Sequence, residues 1–249
     1  MSQAGKGGVW SDPRQAENYL ANTRGAIPLA AEQLRLAVKI VETTTLNVDR
    51  ILDLGCGDGV MGLAMAKRWP SAKLTLVDYS ATMLAAAGEK MAAEGVEAEV
   101  MKLDFSEPSW ATAVAAHGPM DLVVSGFAIH HQPGERKVGL YRQVFDLLAP
   151  GGVFINLDNV SSPTDKLSRL FEEDFVDALT EDRRRRGLGV DRELVRNEWM
   201  TRRREDLQVT SPLDRQLEWL VDIGFENVDC YFKYLEFALF GGTKPKARQ

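Results

Sequence analysis

Three aspartates stand within or directly after short apolar segments in the first half of the chain. Asp53 lies in "ILDLGCGDG", Asp78 ends "KLTLVD", and Asp104 follows "EVMKL". Burying an unpaired carboxylate is costly, so we expect Asp53 to bind a ligand; the alternative is a nearby backbone amide. The carboxyl ends of parallel strands meet at one edge of a sheet, where open α/β folds bind ligands. These residues therefore predict a ligand that is cationic or rich in hydrogen-bond donors.

A run of glycines follows the first of these segments and precedes a helix-like stretch. Gly55, Gly57 and Gly59 would let the backbone approach a ligand closely, and the helix start would present free N–H groups. Together with Gly62 they contain the dinucleotide-binding pattern G-x-G-x-x-G. Asp53 would repel the pyrophosphate that a dinucleotide presents here. The loop therefore favours a ligand that places no phosphate at this position.

The three carboxylates suit three groups of one ligand. Asp53 suits an ammonium, and Asp78, at the end of the second predicted strand, is placed to accept hydrogen bonds from ribose hydroxyls. Asp104 can accept from an adenine amino group, with Phe105 beside the ring. An ammonium, a ribose and an adenine without phosphate describe S-adenosylmethionine.

These residues require a sheet that brings strand ends together. Apolar strands alternate with helix-like segments from residue 50 to residue 160, which predicts a parallel α/β sheet with helices on both faces. A helix at 212–225 and two strands at 227–244 follow, and the short connection between these strands allows only an antiparallel pair. The predicted strands are 50–55, 73–78, 98–105, 121–129 and 153–160, and the predicted helices between them are 59–69, 80–95, 108–118 and 135–152.

Two regions flank this predicted core. Residues 9–46 are expected to form a helical N-terminal cap, and residues 161–211 a helical insertion. Their amphipathic patterns favour packing over the pocket as a lid. No stretch of the sequence resembles a linker between domains. We therefore expect residues 1–249 to form a single domain, with a cofactor-binding core at 50–160 and a last helix and closing hairpin at 212–244.

The motifs of the core resemble those of class I S-adenosylmethionine-dependent methyltransferases. "LDLGCGDG" (52–59) is similar to their first motif, "LVDYS" (76–80) to the second, "KLDF" (102–105) to the third and "DLVVSGFAIHH" (121–131) to the fourth. The resemblance covers more than half of the chain. It implies a single methyltransferase domain with a Rossmann-like, mostly parallel seven-stranded sheet, which releases S-adenosylhomocysteine. It also implies that the cofactor is contacted by Asp53, Gly55, Cys56, Gly57, Asp78, Tyr79, Met83, Asp104, Phe105 and Ser125.

The substrate side is expected at the end of the fourth strand. There His130 or His131 could deprotonate or orient an acceptor, and because neighbouring strand residues point to opposite faces we expect one of them to do so. The alternative is one packed histidine and one solvated histidine. By position alone, the candidate pocket residues are Tyr19, Arg24, Asp158 and Asn159.

Composition limits the partners. A formal net charge of −6 argues against nucleic acid, which needs a basic footprint. Arginine runs at 183–186 and 202–204 stand among acidic residues, so we expect ion-paired helix faces; an arginine turned inward would suit a substrate anion.

The cysteines and the apolar segments indicate the compartment. The two cysteines lack metal or disulfide spacing, no apolar run could cross a bilayer, and the first residues lack the apolar core of a signal peptide. We expect a cytoplasmic monomer or homodimer without a metal.

The sequence therefore predicts an enzyme that transfers a methyl group from S-adenosylmethionine to a small-molecule acceptor. An O, N, S or C nucleophile remains open. The alternatives are an enzyme that modifies a tRNA nucleoside or uses a modified form of the cofactor, and a non-catalytic sensor or scaffold that binds S-adenosylmethionine.

Overall fold

The computed structural model describes residues 13–45 and 47–246, with a central sheet of seven strands. The first five strands pair in parallel, and the last two form an antiparallel hairpin that adds to the fifth. The predicted Rossmann-like, mostly parallel seven-stranded sheet is confirmed. The strands are β1 Arg50–Leu54, β2 Lys73–Asp78, β3 Ala98–Lys102, β4 Met120–Gly126, β5 Leu148–Asn159, β6 Glu226–Tyr234 and β7 Phe237–Thr243.

The strand order, β3-β2-β1-β4-β5-β7-β6, places a topological switch beside β1. The chain proceeds from β1 to β2 and β3 on one side, and then returns to place β4 on the other side. Ligands of open α/β sheets bind at such a switch. β1 is a buried interior strand, and its end, where the glycine run begins, lies at this crevice.

Helices cover both faces of the sheet, as predicted. One face carries α2, α3 and α4, and the other carries α5, α6 and α9, each through its buried apolar residues. The helices are α1 Pro13–Asn22, α2 Ala30–Thr44, α3 Val60–Arg68, α4 Ala81–Ala93, α5 Trp110–Ala115, α6 Gly134–Leu147, α7 Asp165–Arg185, α8 Arg192–Asp206 and α9 Leu213–Ile223.

Local sequence explains several helix ends. The Ser80 hydroxyl accepts a hydrogen bond from the Met83 N–H at the start of α4, and Thr164 does the same for α7. Gly224, with φ of 113°, ends α9 in the left-handed conformation that favours glycine. These signals can be read from sequence because each involves residues only a few positions apart.

Several predicted boundaries are wrong. The third strand ends at Lys102 instead of residue 105. The fourth strand ends at Gly126 instead of residue 129, because Phe127 takes a positive φ of 53° and Ile129–His131 form a 3-10 turn. The helix predicted to end at residue 152 ends at Leu147, where the chain enters β5. Residue 148 already pairs with β4, and this pairing outweighs the helical pattern.

The insertion at 161–211 is helical, as predicted, and forms its own apolar cluster. Phe171, Phe175 and Trp199 pack there against Phe237 of β7. The arginines at 183–186 each pair with an acidic side chain, which confirms the expected ion-paired surface for that run. No helix in the described part of the chain is long and apolar enough to span a membrane.

One arginine of the second run turns inward. Arg203 is buried and donates to Glu172, Glu236 and the hydroxyl of Ser168. Its guanidinium also lies over the rings of the α7–α8 cluster. The guanidinium of Arg203 therefore pairs with carboxylates of the protein instead of a substrate anion.

Candidate active site

A cavity of about 720 Å³ opens at the carboxyl ends of the parallel strands. It extends from the ends of β2 and β3 across the switch point to the end of β5. All predicted cofactor residues except Ser125 line it, so the fold brings them together. Those lining residues are Asp53, Gly55, Cys56, Gly57, Asp78, Tyr79, Met83, Asp104 and Phe105.

Ser125 does not line the cavity. Its side chain is fully buried, and its hydroxyl donates to the carbonyl of Leu54 at 2.7 Å. This bond ties β4 to the end of β1, so the hydroxyl has a structural partner where the resemblance implied a cofactor contact.

The glycine loop depends on backbone conformations that favour glycine. Gly55, Gly57 and Gly59 all have positive φ, between 53° and 76°. A Cβ on Gly55 would lie 2.3 Å from the Cβ of Ala128, whereas a Cβ on Gly57 would meet nothing within 4 Å among the described residues. Gly55 is therefore required by packing, and Gly57 leaves room for a ligand against the backbone.

Cys56, within this loop, is not an activated nucleophile. Burial raises the pKa of its thiol well above the usual value, and Asp53 and Asp78 act in the same direction. The thiol stays protonated at neutral pH, so the residue contributes a small side chain to the lining.

Asp78 joins the ends of the first two strands. Its Oδ2 accepts from the Gly57 N–H at 2.9 Å and its Oδ1 from the Ser80 N–H at 2.8 Å. Burial raises the pKa of this carboxyl, while these N–H donors act in the opposite direction. Each carboxylate oxygen has two lone pairs, so Asp78 can hold the loop and still accept from ribose hydroxyls.

Asp53 has a backbone partner. The Gly62 N–H donates to its Oδ2 at 2.7 Å, which is the alternative considered for this residue. A Cβ on Gly62 would lie 2.9 Å from the same oxygen, so glycine allows this approach. The carboxylate is thus stabilised by the start of α3 as well as facing the cavity.

Arg136 holds the loop after β3. Its Nε and Nη2 donate to the carbonyl of Phe105 at 2.9 and 2.5 Å, and Nη2 also donates to Gln143 at 2.7 Å. Burial lowers the pKa of its guanidinium, against the opposing charges of Asp104 and Glu107. Sequence analysis missed Arg136 because its main partner, the loop after β3, lies far from it along the chain.

The two histidines have different surroundings. His130 is buried, with its Nδ1 2.5 Å from Oδ1 of Asp158, and its ring contacts that of His131 at 3.8 Å between centroids. His131 lines the cavity. Of the two histidines, only His131 faces the cavity. The two side chains point in different directions because they lie in a 3-10 turn, whereas the expectation assumed alternation along a strand.

Asp158 and Asn159, which were expected by position to be pocket residues, are absent from the cavity lining. Both contact His130: Asp158 accepts its backbone N–H, and Asn159 Nδ2 lies 3.4 Å from its Nε2. They lie behind the histidine turn and outside the cavity lining. In the structure they contact the histidine turn, and their role as pocket residues stays a prediction.

The N-terminal cap contributes directly to the cavity. Tyr19 lines it, while the side chain of Arg24 lies outside the part that the structure describes. Gln33 of α2 also lines it and was missed. From residues 161–211, the described lining residue is Val209, whereas α7 and α8 pack elsewhere. The part of the insertion that closes the pocket is therefore the segment after α8.

The site has no metal cluster in residues 13–45 and 47–246, where no group of three His, Cys, Asp or Glu side chains could hold an ion. Its polar lining instead fits an adenosine-containing amino acid. Asp78 at the end of β2 and Asp104 after β3 line the cavity, and the open face of Gly57 leaves room beside the backbone.

Comparisons with known proteins agree with this chemistry. Residues 51–152 match the family described as "Methyltransferase domain". A carboxy-S-adenosyl-L-methionine synthase from a Nitratiruptor species is 25% identical over 222 residues, covering 89% of this chain and 87% of the relative. A structure of a putative S-adenosyl-L-methionine-dependent methyltransferase from Methanococcus maripaludis matches with TM-score 0.60 and 16% identity, over 100% of this chain and 99% of the other.

A longer neighbour shares the fold over part of its length. The structure of PigF with S-adenosylhomocysteine matches with TM-score 0.57 and 16% identity, covering 95% of this chain and 61% of that protein. The chain thus spans about three fifths of that neighbour.

Proposed function

Because this chain belongs to the class I S-adenosylmethionine-dependent methyltransferases, we propose that it methylates a small-molecule acceptor inside the cavity described above. The observation that carries this proposal is the composition of the cavity. Its carboxylates lie at the ends of β1, β2 and β3 and in the loops that follow them, and its apolar lining includes Leu34, Phe127, Leu157 and Val209. A volume of about 720 Å³ lies in the range of small-molecule sites.

The cofactor supplies a methyl group already activated on a sulfonium, so the protein's task is alignment and exclusion of water. We assign the ribose hydroxyls to Asp78, the adenine amino group to Asp104 and the close backbone approach to Gly57. The Arg136 bonds to the Phe105 carbonyl hold the adenine side in place.

On the acceptor side, we assign to His131 the role of orienting the nucleophile and taking its proton. Its ring lines the cavity, and the buried His130–Asp158 pair keeps the turn that presents it. In this assignment His130 and Asp158 are positioning residues.

A second candidate is synthesis of a carboxylated cofactor. It is favoured by the relative from Nitratiruptor, which aligns over nearly the whole of both chains. Such a reaction requires binding of a carboxylated co-substrate. Arg136 is the one Arg or Lys in the described lining, and its Nε and Nη2 already donate to protein oxygens. This arrangement favours methylation of a small-molecule acceptor over binding of a carboxylated co-substrate.

The test is product analysis by mass spectrometry. The purified protein is incubated with S-adenosylmethionine and either fractionated metabolites or tRNA, with His131→Gln as the matched inactive variant. We expect S-adenosylhomocysteine and a methylated small molecule with the metabolite fractions. Formation of a carboxylated cofactor would establish the second candidate, and methylation of tRNA alone would contradict the proposal.

A further inference from the structure

Lys137 is a buried cation to which the proposed reaction assigns no role. Its side chain is fully buried on α6, and its backbone N–H donates to the carbonyl of Pro133, a residue that lines the cavity. Removing a charged group from water is costly unless that group is hydrogen-bonded. The hydrogen bonds of Lys137 therefore indicate what this side chain does.

In the described part of the chain, both hydrogen bonds of this ammonium go to one short segment of the insertion. Nζ donates to the carbonyl of Val209 at 2.6 Å and to the hydroxyl of Ser211 at 3.1 Å. These residues belong to 207–211, the segment that connects α8 to α9. Hydrogen bonds from a charged donor are stronger than those between neutral groups, so Lys137 attaches this segment firmly to α6.

The 207–211 segment forms part of the cavity wall. Its first residue, Leu207, donates its N–H to the last turn of α8, and at the other end the carbonyl of Ser211 accepts from the Ser161 N–H. Between these two ends lies Val209, which is half-buried and lines the cavity. The ammonium thus binds the segment at the residue that lines the cavity.

Arg136, the preceding residue of α6, holds another part of the wall. Its guanidinium donates to the carbonyl of Phe105 in the loop after β3, whereas Lys137 donates to the carbonyl of Val209. Neighbouring residues of a helix do not face each other, so two consecutive cations attach two separate segments of the cavity wall to one helix. The first segment adjoins Asp104, which we assign to the adenine, whereas the second contains no residue that we assign to the cofactor.

We propose that Lys137 is a positioning residue for the acceptor, an inference that rests on the proposed function. By attaching the 207–211 segment to α6, it keeps Val209 in the cavity wall, where this side chain limits the space for the acceptor and excludes water. Lys137 itself is not among the described residues that line the cavity and acts only through this segment. Loss of its ammonium should therefore weaken binding of the acceptor and leave binding of the cofactor unchanged.

Enzyme kinetics and hydrogen exchange test this role in Lys137→Met, which keeps an apolar stem but removes the donors. The probe is the metabolite fraction that yields a methylated product with the wild-type protein, and mass spectrometry measures the product. We expect the amount of this fraction that gives half the maximal rate to rise about tenfold or more, as for the loss of hydrogen bonds to a charged group. Amides of the 207–211 segment should exchange faster, and affinity for S-adenosylhomocysteine, measured by calorimetry, should stay unchanged.

Lys244→Met is the matched control. The Nζ of Lys244 also donates to main-chain carbonyls, those of Phe145 and Leu148, each at 2.8 Å. None of these three described residues lines the cavity. We expect Lys244→Met to lower Tm, while the half-saturating amount of the metabolite fraction and the exchange of the 207–211 segment remain as in wild type. This control separates a general loss of stability from a loss of positioning.

A second variant changes the segment and leaves α6 intact. Ser211→Ala removes one of the two acceptors of the ammonium, so it should raise the half-saturating amount by a smaller factor, and it carries the test if Lys137→Met does not fold. An unchanged half-saturating amount in the folded variant, or an equal loss of affinity for S-adenosylhomocysteine, would overturn the inference. If the wild-type protein forms no methylated product from any fraction, the proposed function itself fails before any variant is compared.

Discussion

Asp158 binds His130 at two points: its Oδ2 accepts the backbone N–H at 2.8 Å, and its Oδ1 lies 2.5 Å from the ring Nδ1. The ring of His131 packs against the ring of His130, with 3.8 Å between their centroids. A buried carboxylate therefore determines, through one histidine, where the next one points. His131 therefore faces the cavity, whereas His130 and Asp158 hold His131 in position.

This separation predicts different effects for the two kinds of change. His131→Gln should lower kcat about 10²-fold or more, the usual contribution of general acid–base catalysis, with no change in S-adenosylhomocysteine affinity. Asp158→Ala should lower both kcat and Tm, because it leaves the buried His130 without its acceptor. His117→Gln, in a half-exposed pair with Glu99, serves as control. Equal kcat for His131→Gln and wild type would remove His131 from the reaction.

The glycine loop predicts opposite outcomes for two alanine substitutions. Gly55→Ala should prevent stable folding, since its Cβ would overlap Ala128. Gly57→Ala has space and should cost about 1 kcal/mol for its positive φ, yet its methyl group would occupy the ligand's side of the backbone. Urea unfolding and calorimetry distinguish these effects. Tight S-adenosylhomocysteine binding by Gly57→Ala would place the cofactor away from this loop.

Because Lys137 is buried, we expect the free energy of unfolding to increase at alkaline pH. It is fully buried, its Nζ donates to the Val209 carbonyl at 2.6 Å and to Ser211 at 3.1 Å, and burial lowers the pKa of its ammonium to about 8. Between pH 8 and the ordinary value of 10.5, the unfolded chain holds a proton that the folded chain has lost. The free energy of unfolding therefore increases with pH in this window.

The increase attributable to this lysine is at most about 3 kcal/mol. It should be absent in Lys137→Met, so the difference between the two proteins isolates it from the thiols and phenols that titrate in both. Urea unfolding from about pH 7.5 to about pH 10.5, which covers the window between the two pKa values, measures it. Parallel curves for the two proteins would mean that the buried ammonium is not destabilised.

Replacing Arg203, the buried arginine of the insertion, should cause a large loss of stability. Arg203→Met would leave Glu172 and Glu236 buried without their cation, at a cost of about 3–5 kcal/mol. Arg204→Met, at the next and exposed position, should change stability by less than about 0.5 kcal/mol. Chemical denaturation compares them. Similar values for both variants would show that the carboxylates reach solvent once Arg203 is gone.

Much of the fold could be predicted because its signals are local. The alternation of apolar strands and helical segments, the glycines with positive φ and the aspartates at strand ends each involve a few neighbouring residues. A parallel sheet then brings strand ends together whatever the loops do. This is why Asp78, Asp104 and Gly57 meet at one cavity.

Long-range pairing decided the rest. Local pattern could not show that β4 stops at Gly126, that Asp158 supports His130 instead of lining the pocket, or that Gly62 supplies a partner for Asp53. Nor could it show that Gln33 and Val209, far apart in sequence, enclose the same space. Each depends on a hydrogen bond or packing contact between distant segments, whose geometry exists only after the sheet has formed. The sequence by itself determined the sheet and the aspartates and glycines at its strand ends, whereas the tertiary structure decided which other side chains line the cavity.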